Sequence, residues 1–328
     1  MKKIAVIGAG LSGLTAATQL REHAEVTVFE KSRGPGGRMA TRYADPYFFD
    51  HGAQFFNPKT EEFISFIGPM IEKGVIKRWD GQFVEILDRN ISYRREWGEE
   101  YPHYVGSPGM DAIGKYLSRD LNLILKTKID SLSCVNEKWL IRDEDDRDLG
   151  IYDYVVLAMP PIQVKALASS LLPAFDFLDQ VTMQACFSLM LAFSNPLQLD
   201  FDAALVLNED ISWISANNSK PDQSPLSCLL IHSTNKWADM HIDDNRDEVM
   251  EYLYNHSLDI INFNEDTLVY KQLHGWRYAN VEKQHGEASF FDTHEKIGVC
   301  GDWFIHGRIE SAFLSGLDIS KKIIEVMD

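Results

Sequence analysis

The chain of 328 residues is 45% hydrophobic and 25% charged, an ordinary globular composition with room for two domains or one large α/β unit with an insertion. Its net charge of −17 argues against nucleic acid and anionic membrane as partners, and no apolar stretch approaches the roughly 20 residues of a membrane span. Its four cysteines form no C-x-x-C pair, which predicts buried thiols in a reducing cytoplasm, with neither a disulfide framework nor a zinc site.

The first segment of the chain has the pattern of a dinucleotide-binding unit. Two strand-like runs, 3–7 and 25–29, enclose Gly-Ala-Gly-Leu-Ser-Gly at 8–13 and a stretch of helical composition. Such glycines allow a tight turn and close approach to a pyrophosphate, which the following helix N-terminus attracts. Glu30, at the end of the second strand, can accept hydrogen bonds from an adenosine ribose. A signal peptide is the rival interpretation, but three glycines would interrupt its apolar core.

Two further glycine-containing segments favour a bound cofactor. Residues 31–39 are too glycine-rich for regular structure, and their arginines suit an anion or an electron-rich ring. In 50–56, small residues permit close backbone approach and Gln54 offers both donor and acceptor groups. Phe55 and Phe56 could flank a planar ligand, although a core position is the better expectation for at least one of them.

The rest of the chain divides into three regions by its predicted elements. Short strands and helices come first, and the six charges of 143–148 predict a solvated turn. A middle region rich in strands predicts a mostly antiparallel sheet with one helix on it. A last strand and helix return to the first domain. The predicted helices are 60–73, 111–119, 162–170, 244–261 and 307–326. The predicted strands are 75–79, 83–87, 91–95, 122–135, 138–142, 152–157, 186–193, 203–207, 211–216, 226–232, 267–274 and 296–300.

These patterns predict an α/β fold of two domains, in which a Rossmann-like domain is joined to a mostly antiparallel, α+β substrate domain. The nucleotide-binding domain is predicted to be discontinuous and to comprise 1–74, 105–170 and 291–328. The substrate domain is predicted to comprise 75–104 and 171–290.

The ordered set of motifs resembles the FAD-dependent oxidoreductases of the amine-oxidase type, and more particularly the bacterial renalase family. The motifs are Gly8–Gly13 with Glu30, Gly36-Gly37-Arg38-Met39, Asp50-x-Gly52-Ala53-Gln54-Phe55-Phe56, Pro108-Gly109-Met110, Leu157-Ala158-Met159-Pro160 and Gly301-Asp302-Trp303. The resemblance spans nearly the whole chain. It implies a fold like that of p-hydroxybenzoate hydroxylase, with non-covalent FAD. Phe55 departs from the family, which often has a tyrosine there.

The resemblance also implies where the ligands bind. The pyrophosphate would lie at 8–13, the adenine at the Ile129 backbone and the ribityl or pyrophosphate end at Asp302. Ile309, opening the last helix, would face the flavin N1–C2=O edge, where a positive helix end stabilises negative charge. The implied cofactor-binding residues are Gly8, Ala9, Gly10, Leu11, Ser12, Gly13, Glu30, Lys31, Gly37, Arg38, Met39, Gln54, Phe55, Ile129, Ala158, Met159, Pro160, Gly301, Asp302, Arg308, Ile309 and Ala312, and the candidate substrate residues are Phe55, Phe56, Cys186, Trp276 and Tyr278.

The renalase resemblance implies an oxidase whose substrates are dihydro-NAD(P) isomers, with NAD(P)⁺ as product and dioxygen reduced to hydrogen peroxide. Flavin N5 would accept the hydride, so no catalytic side chain is required, and none is evident in the sequence. Two other interpretations stay open. One is an amine oxidase or carotenoid-desaturase-like enzyme. The other is a regulatory protein that binds FAD without catalysis.

Overall fold

The computed structural model describes residues 1–168 and 173–327. The end of the helix predicted over 162–170, the domain boundary predicted between 170 and 171, and residue 328 lie outside the described residues. The described helices are α1 (Leu11–Leu20), α2 (Glu61–Glu72), α3 (Asp111–Leu117), α4 (Pro161–Ala168), α5 (Asn235–His241), α6 (Arg246–Ile260) and α7 (Ile309–Met327).

A six-stranded sheet forms the first domain, in the order β19-β20-β13-β1-β2-β9. Its strands are β1 (Lys3–Ile7), β2 (Glu25–Phe29), β9 (Asn122–Ile124), β13 (Tyr154–Leu157), β19 (Ser289–Asp292) and β20 (Ile297–Cys300). All neighbours are parallel except β19 and β20. The carboxyl ends of β1 and β2 therefore carry the glycine turn and Glu30 to one edge of the sheet.

Both faces of this sheet are covered, which explains the continuous apolar runs of its strands. Ile4 and Val6 of β1 face one core, together with Leu14 of α1, whereas Ala5 and Ile7 face the other. The glycine at Gly316 lets α7 approach α1, because a Cβ there would stand 2.3 Å from the Ser12 carbonyl oxygen. The second face is covered by a three-stranded sheet of β10 (Ile129–Val135), β11 (Lys138–Asp143) and β12 (Asp148–Tyr152).

A seven-stranded sheet forms the second domain, in the order β18-β14-β17-β16-β15-β6-β7. Its strands are β6 (Gln82–Leu87), β7 (Asn90–Glu96), β14 (Gln184–Phe193), β15 (Ala203–Leu207), β16 (Ile211–Ala216), β17 (Cys228–Ser233) and β18 (Leu268–Asn280). Every pair is antiparallel except β15 and β6. One face packs on α5 and α6 around a separate hydrophobic core. The predicted two-domain α/β class is thus confirmed.

Two small two-stranded sheets complete the fold. One joins β3 (Thr41–Ala44) to β4 (Tyr47–Asp50), and neither strand was predicted. The other pairs β5 (Ile76–Arg78), which was predicted, with β8 (Tyr104–Gly106), which was not. The predicted strand 152–157 is in fact divided at Asp153, whose carboxylate accepts a hydrogen bond from the Lys3 backbone and so joins β12 to β1. In the described part of the chain, no helix combines the length and apolar character needed to cross a membrane.

Candidate functional site

A cavity of about 1560 Å³ is lined by residues of both sheets. This volume exceeds the roughly 300–1,000 Å³ of a pocket for one drug-sized molecule. At one side lie the carboxyl ends of β1 and β2 with the N-termini of α1 and α7, and at the other lie side chains of β14, β16, β17 and β18. The cavity is therefore large enough for a dinucleotide and a second molecule placed between the two domains.

The glycine turn gives one end of the cavity the character of a phosphate site. Gly10 is the N-cap of α1 and supplies no side-chain cap, so the first backbone N–H groups of the helix are available to an anion. A Cβ at Gly10 would meet no atom within 4 Å, whereas one at Gly13 would stand 2.0 Å from the Gly8 carbonyl oxygen. Gly8 itself has φ +110°. Gly8 and Gly13 are thus required by the backbone geometry and close packing of the turn. Gly10 instead leaves open space beside the helix N-terminus.

Glu30 stands beside this turn with its carboxylate fixed by the backbone. Its two oxygens accept hydrogen bonds from the N–H groups of Ala9 and Ser32, each at 2.8 Å. The side chain is buried and lines the cavity. Since a carboxylate has about four acceptor positions, two of them stay free for hydroxyl groups. This geometry fits the ribose of an adenosine.

An arginine–aspartate pair joins the glycine-rich loop to the segment before α7. Arg38 contacts Asp302 through both guanidinium nitrogens, with one N–O distance of 2.9 Å, and it also donates to the Ala279 carbonyl at 3.0 Å. Asp302 is buried, whereas Arg38 is partly open to the cavity. The bidentate contact holds two cavity walls together and leaves little net charge between them.

Gln54 lines the cavity but directs its amide into the protein. Its NH₂ group donates to the carbonyls of Asp50 and Gly52, and its oxygen accepts from Ser215 Oγ at 3.0 Å and Lys220 Nζ at 3.3 Å. Lys220 also contacts Asp50 at 3.2 Å, and the side chains of this ion pair are fully buried. Desolvation lowers the Lys220 pKa, and the neighbouring Asp50 opposes that effect. The network fixes the 50–54 loop beneath the cavity.

One face of β18 gives the cavity an aromatic wall. His274, Trp276 and Tyr278 alternate along β18 and so share a face. His51 stacks on Trp276 with ring centroids 5.2 Å apart, and the Trp276 Nε1–H donates to the His51 carbonyl at 2.8 Å. Burial lowers the pKa of His51 to about 3 and the pKa values of His232 and His274 to about 4. The three imidazoles are therefore neutral at physiological pH.

The His232 environment predicts a loss of stability in acid. Its pKa lies below the 6.5 of an unfolded histidine, so the unfolded state binds the proton first as the pH falls. The stabilisation is complete above pH 6.5 and is lost as the pH falls towards 4, by roughly 2–3 kcal/mol for this one group. Urea unfolding across that range should show a shallower pH dependence for His232→Asn than for wild type. The exposed His23→Asn variant is the control, and parallel curves for wild type and His232→Asn would contradict this assignment.

Most of the sequence-predicted site residues lie on the cavity. The lining includes Gly8, Gly10, Leu11, Ser12, Glu30, Lys31, Gly37, Arg38, Met39, Gln54, Ile129, Ala158, Met159, Pro160, Gly301, Asp302, Arg308, Ile309 and Ala312, with Cys186, Trp276 and Tyr278 on the wall of the second domain. Ala9 and Gly13 lie behind the glycine turn, where Ala9 holds Glu30 and Gly13 packs against Gly8.

Phe55 and Phe56 require a correction. Among the described residues that line the cavity neither is present, so the expected contacts with flavin and substrate are not seen. Phe55 packs in a cluster with Trp79, Trp97 and Trp213. Phe56 is buried and stacks on Tyr104. Gln54 turns towards Ser215 and Lys220. The two phenylalanine rings pack away from the cavity in different places, Phe55 among the tryptophans and Phe56 against Tyr104. Sequence reasoning also gave no role to the cavity residues Arg42 and His274.

A glycine turn at a helix N-terminus, a buried carboxylate beside it and a cavity between two domains are features typical of dinucleotide-dependent oxidoreductases. A profile of the NAD(P)-binding Rossmann-like domain matches residues 6–67, and that of the Flavin containing amine oxidoreductase family matches residues 91–324. The chain belongs to this flavin-containing amine oxidoreductase family and is a flavin-dependent oxidoreductase.

Several similar proteins agree with this class. Over 51 residues the chain is 51% identical to 4,4′-diapophytoene desaturase (4,4′-diaponeurosporene-forming) of Staphylococcus aureus, a match of 15% of this chain and only 10% of the desaturase. A protein described as a protoporphyrinogen oxidase from Exiguobacterium sp. 255-15 superimposes with a TM-score of 0.81 at 12% identity, covering 100% of this chain and 99% of the other. Cyclohexylamine oxidase from Brevibacterium oxydans IH-35A gives 0.75 at 14% identity, covering 99% of each. At such identities the two structures support the fold alone.

Proposed function

We propose that this chain binds FAD non-covalently and oxidises dihydro-NAD(P) isomers, of the 1,2-dihydro type, to NAD(P)⁺ in the cytoplasm. The observation that carries the proposal is the aromatic wall of His51, His274 and Trp276, whose imidazoles are neutral and whose described residues include no free carboxylate. We assign FAD binding to 1–74, 105–170 and 291–328 and substrate binding to 75–104 and 171–290.

The residues present fit FAD. The space above Gly10 accommodates a pyrophosphate, and the remaining acceptor positions of Glu30 suit the adenosine ribose. Ile309 opens α7 at the cavity, where the helix end is positive. Bound FAD would supply the hydride acceptor, its N5 atom, and the route by which dioxygen is reduced to hydrogen peroxide. The chain's contribution is to hold both ring systems in place and to exclude water.

The charges at the cavity bear on whether the substrate is a protonated amine or an uncharged dihydronicotinamide. Most amines are protonated at neutral pH and bind best where a carboxylate or an open aromatic cage receives them. Three acidic side chains at this cavity have cationic partners: Asp302 pairs with Arg38, Asp111 with Lys115 and Asp130 with Lys128. The fourth, Glu30, lies at the glycine turn, where it accepts hydrogen bonds from the Ala9 and Ser32 N–H groups. A dihydronicotinamide ring is uncharged and releases no proton on hydride transfer. The described residues of the wall formed by His51, His274 and Trp276 include no carboxylate, which supports an uncharged dihydronicotinamide as the substrate over an ammonium group.

Amine oxidation is the second candidate, because the family and the similar solved structures include amine oxidases. Peroxide formation should be followed with the 1,2-dihydro isomer, ordinary 1,4-NAD(P)H, putrescine and cyclohexylamine as separate donors. The proposal expects rapid peroxide release with the isomer and slow release with the other three. Rapid release with an amine alone would replace the proposal by this second candidate. Flavin that stays oxidised with every donor would favour a regulatory, non-catalytic protein.

Trp276 is expected to act as the stacking surface for the nicotinamide. Replacement by leucine should raise the KM for the dihydronicotinamide about 10-fold, in line with the roughly 1–3 kcal/mol of a base–aromatic stack, and should leave the flavin content unchanged. Trp276→Phe preserves an aromatic ring and should recover most of the affinity. Equal KM values for wild type and Trp276→Leu would show that this ring does not contact the substrate.

A further inference from the structure

Arg42 is a cavity residue that the cofactor assignment above does not use. It lies on β3, in the hairpin whose partner strand ends at Asp50, and it is placed opposite Phe49. Its side chain is half-buried and lines the same cavity as His51 and His274. The hairpin thus brings a guanidinium to the aromatic wall contributed by the second domain.

The Arg42 guanidinium has no hydrogen bond or ion pair with any described residue, unlike several other cations at the cavity. Arg38 pairs with Asp302, Lys115 with Asp111, and Arg277 with Asp243. Leaving a half-buried charge unpaired is unfavourable, because its lost hydration is not replaced by protein contacts. A site of this kind favours an anionic ligand that supplies the missing partner.

Two neutral histidines, His51 and His274, lie near Arg42. After burial, its positive charge is one of the causes that lower the pKa values of His51 and His274. Their rings meet edge to face with centroids 4.9 Å apart. The two neutral histidines near Arg42 therefore bring no negative charge to its guanidinium.

From this arrangement we infer that Arg42 binds an anionic group of the substrate, namely a phosphate of the nicotinamide nucleotide. The inference rests on the proposed function and identifies which part of the donor is recognised. A guanidinium presents parallel N–H groups that match two phosphate oxygens, which makes arginine suited to this role. Recognition of the phosphate would hold the nicotinamide ring against Trp276 in an orientation that the ring alone does not determine.

The test compares ligands with and without phosphate on flavin-loaded wild type, Arg42→Gln and Arg42→Lys. NAD⁺, nicotinamide mononucleotide and nicotinamide riboside are titrated, and binding is read from the perturbation of flavin absorbance. For Arg42→Gln we expect binding of the two phosphate-bearing ligands to weaken about 10-fold or more, with the riboside unchanged, as for a lost charge-assisted hydrogen bond. Arg42→Lys should recover part of the loss. Arg94→Gln removes an arginine that pairs with Asp200 outside the cavity lining and is the control.

Each outcome of this test bears on Arg42. The dinucleotide and mononucleotide titrations separate a diphosphate from a single phosphate as the bound group. Equal weakening of all three ligands, or of none, would overturn the inference. Inorganic pyrophosphate is titrated in parallel, with intrinsic tryptophan fluorescence as the readout. If no nicotinamide ligand binds but pyrophosphate binding is lost in Arg42→Gln, the anion subsite stands and the proposed function fails. If no nicotinamide ligand binds and pyrophosphate binds wild type and Arg42→Gln equally, both the anion subsite and the proposed function fail.

Discussion

Gly10→Val is expected to yield a folded protein without flavin. Gly10 has an ordinary φ of −72°, and a Cβ built there meets no atom within 4 Å, so the backbone and its surroundings tolerate the side chain. The added methyl groups would occupy the space through which a pyrophosphate reaches the α1 N-terminus. The flavin-to-protein ratio after purification should fall to near zero, while circular dichroism should match that of wild-type apoprotein.

Two matched glycine variants separate this effect from general disruption. Gly13→Val places its Cβ 2.0 Å from the Gly8 carbonyl oxygen and should prevent correct folding of the turn. Gly98→Val meets no atom within 4 Å, lies away from the cavity lining, and should keep its flavin. A Gly10→Val protein that retains a full complement of flavin would show that the cofactor does not approach this turn.

Lys220→Met should produce the largest loss of stability from a single side chain at this site. Removal of the ammonium leaves the fully buried Asp50 carboxylate without its cation, and breaking such a pair costs about 3–5 kcal/mol. Asp50 keeps hydrogen bonds from Thr41 Oγ1 and the Met110 N–H. Because these bonds hold the carboxylate in its buried position, it cannot turn towards solvent when the ammonium is removed. Urea unfolding at neutral pH measures the change.

An exposed ion pair provides the control for Lys220. Lys165 pairs with Asp179 at the surface, so Lys165→Met should change the stability by less than about 1 kcal/mol. The double variant Asp50→Asn/Lys220→Met removes both charges and should be more stable than Lys220→Met alone, because no buried charge remains unpaired. If Lys220→Met costs no more than Lys165→Met, the buried pair does not stabilise the fold.

The sequence predicted those parts of the site that depend on local pattern. The glycine turn, Glu30 and the Gly301-Asp302 segment each follow a buried parallel strand, so their location at one edge of the sheet follows from topology. The class and the positions of most long elements follow from hydrophobic periodicity in the same way.

Other parts of the site depend on contacts between distant segments. Lys220 meets Asp50 across 170 positions of the chain, and the Trp276 side chain meets the His51 carbonyl across 225. Nothing near Lys220 in the sequence indicates a buried cation. The direction of the Phe55 side chain was not predictable, because the motif gives only its residue type. Its direction is set by the packing of Trp79, Trp97 and Trp213 around it.

The proposed function requires that the bound flavin takes its electrons from a dihydronicotinamide isomer. An anaerobic titration of the purified protein with 1,2-dihydro-NAD(P), read from the visible flavin absorbance, tests it most directly, with 1,4-NAD(P)H as the control donor. We predict rapid bleaching by the isomer, slow bleaching by the control and recovery of the absorbance on admission of air. A flavin that no dihydronicotinamide isomer bleaches, but that an amine does, would contradict the claim.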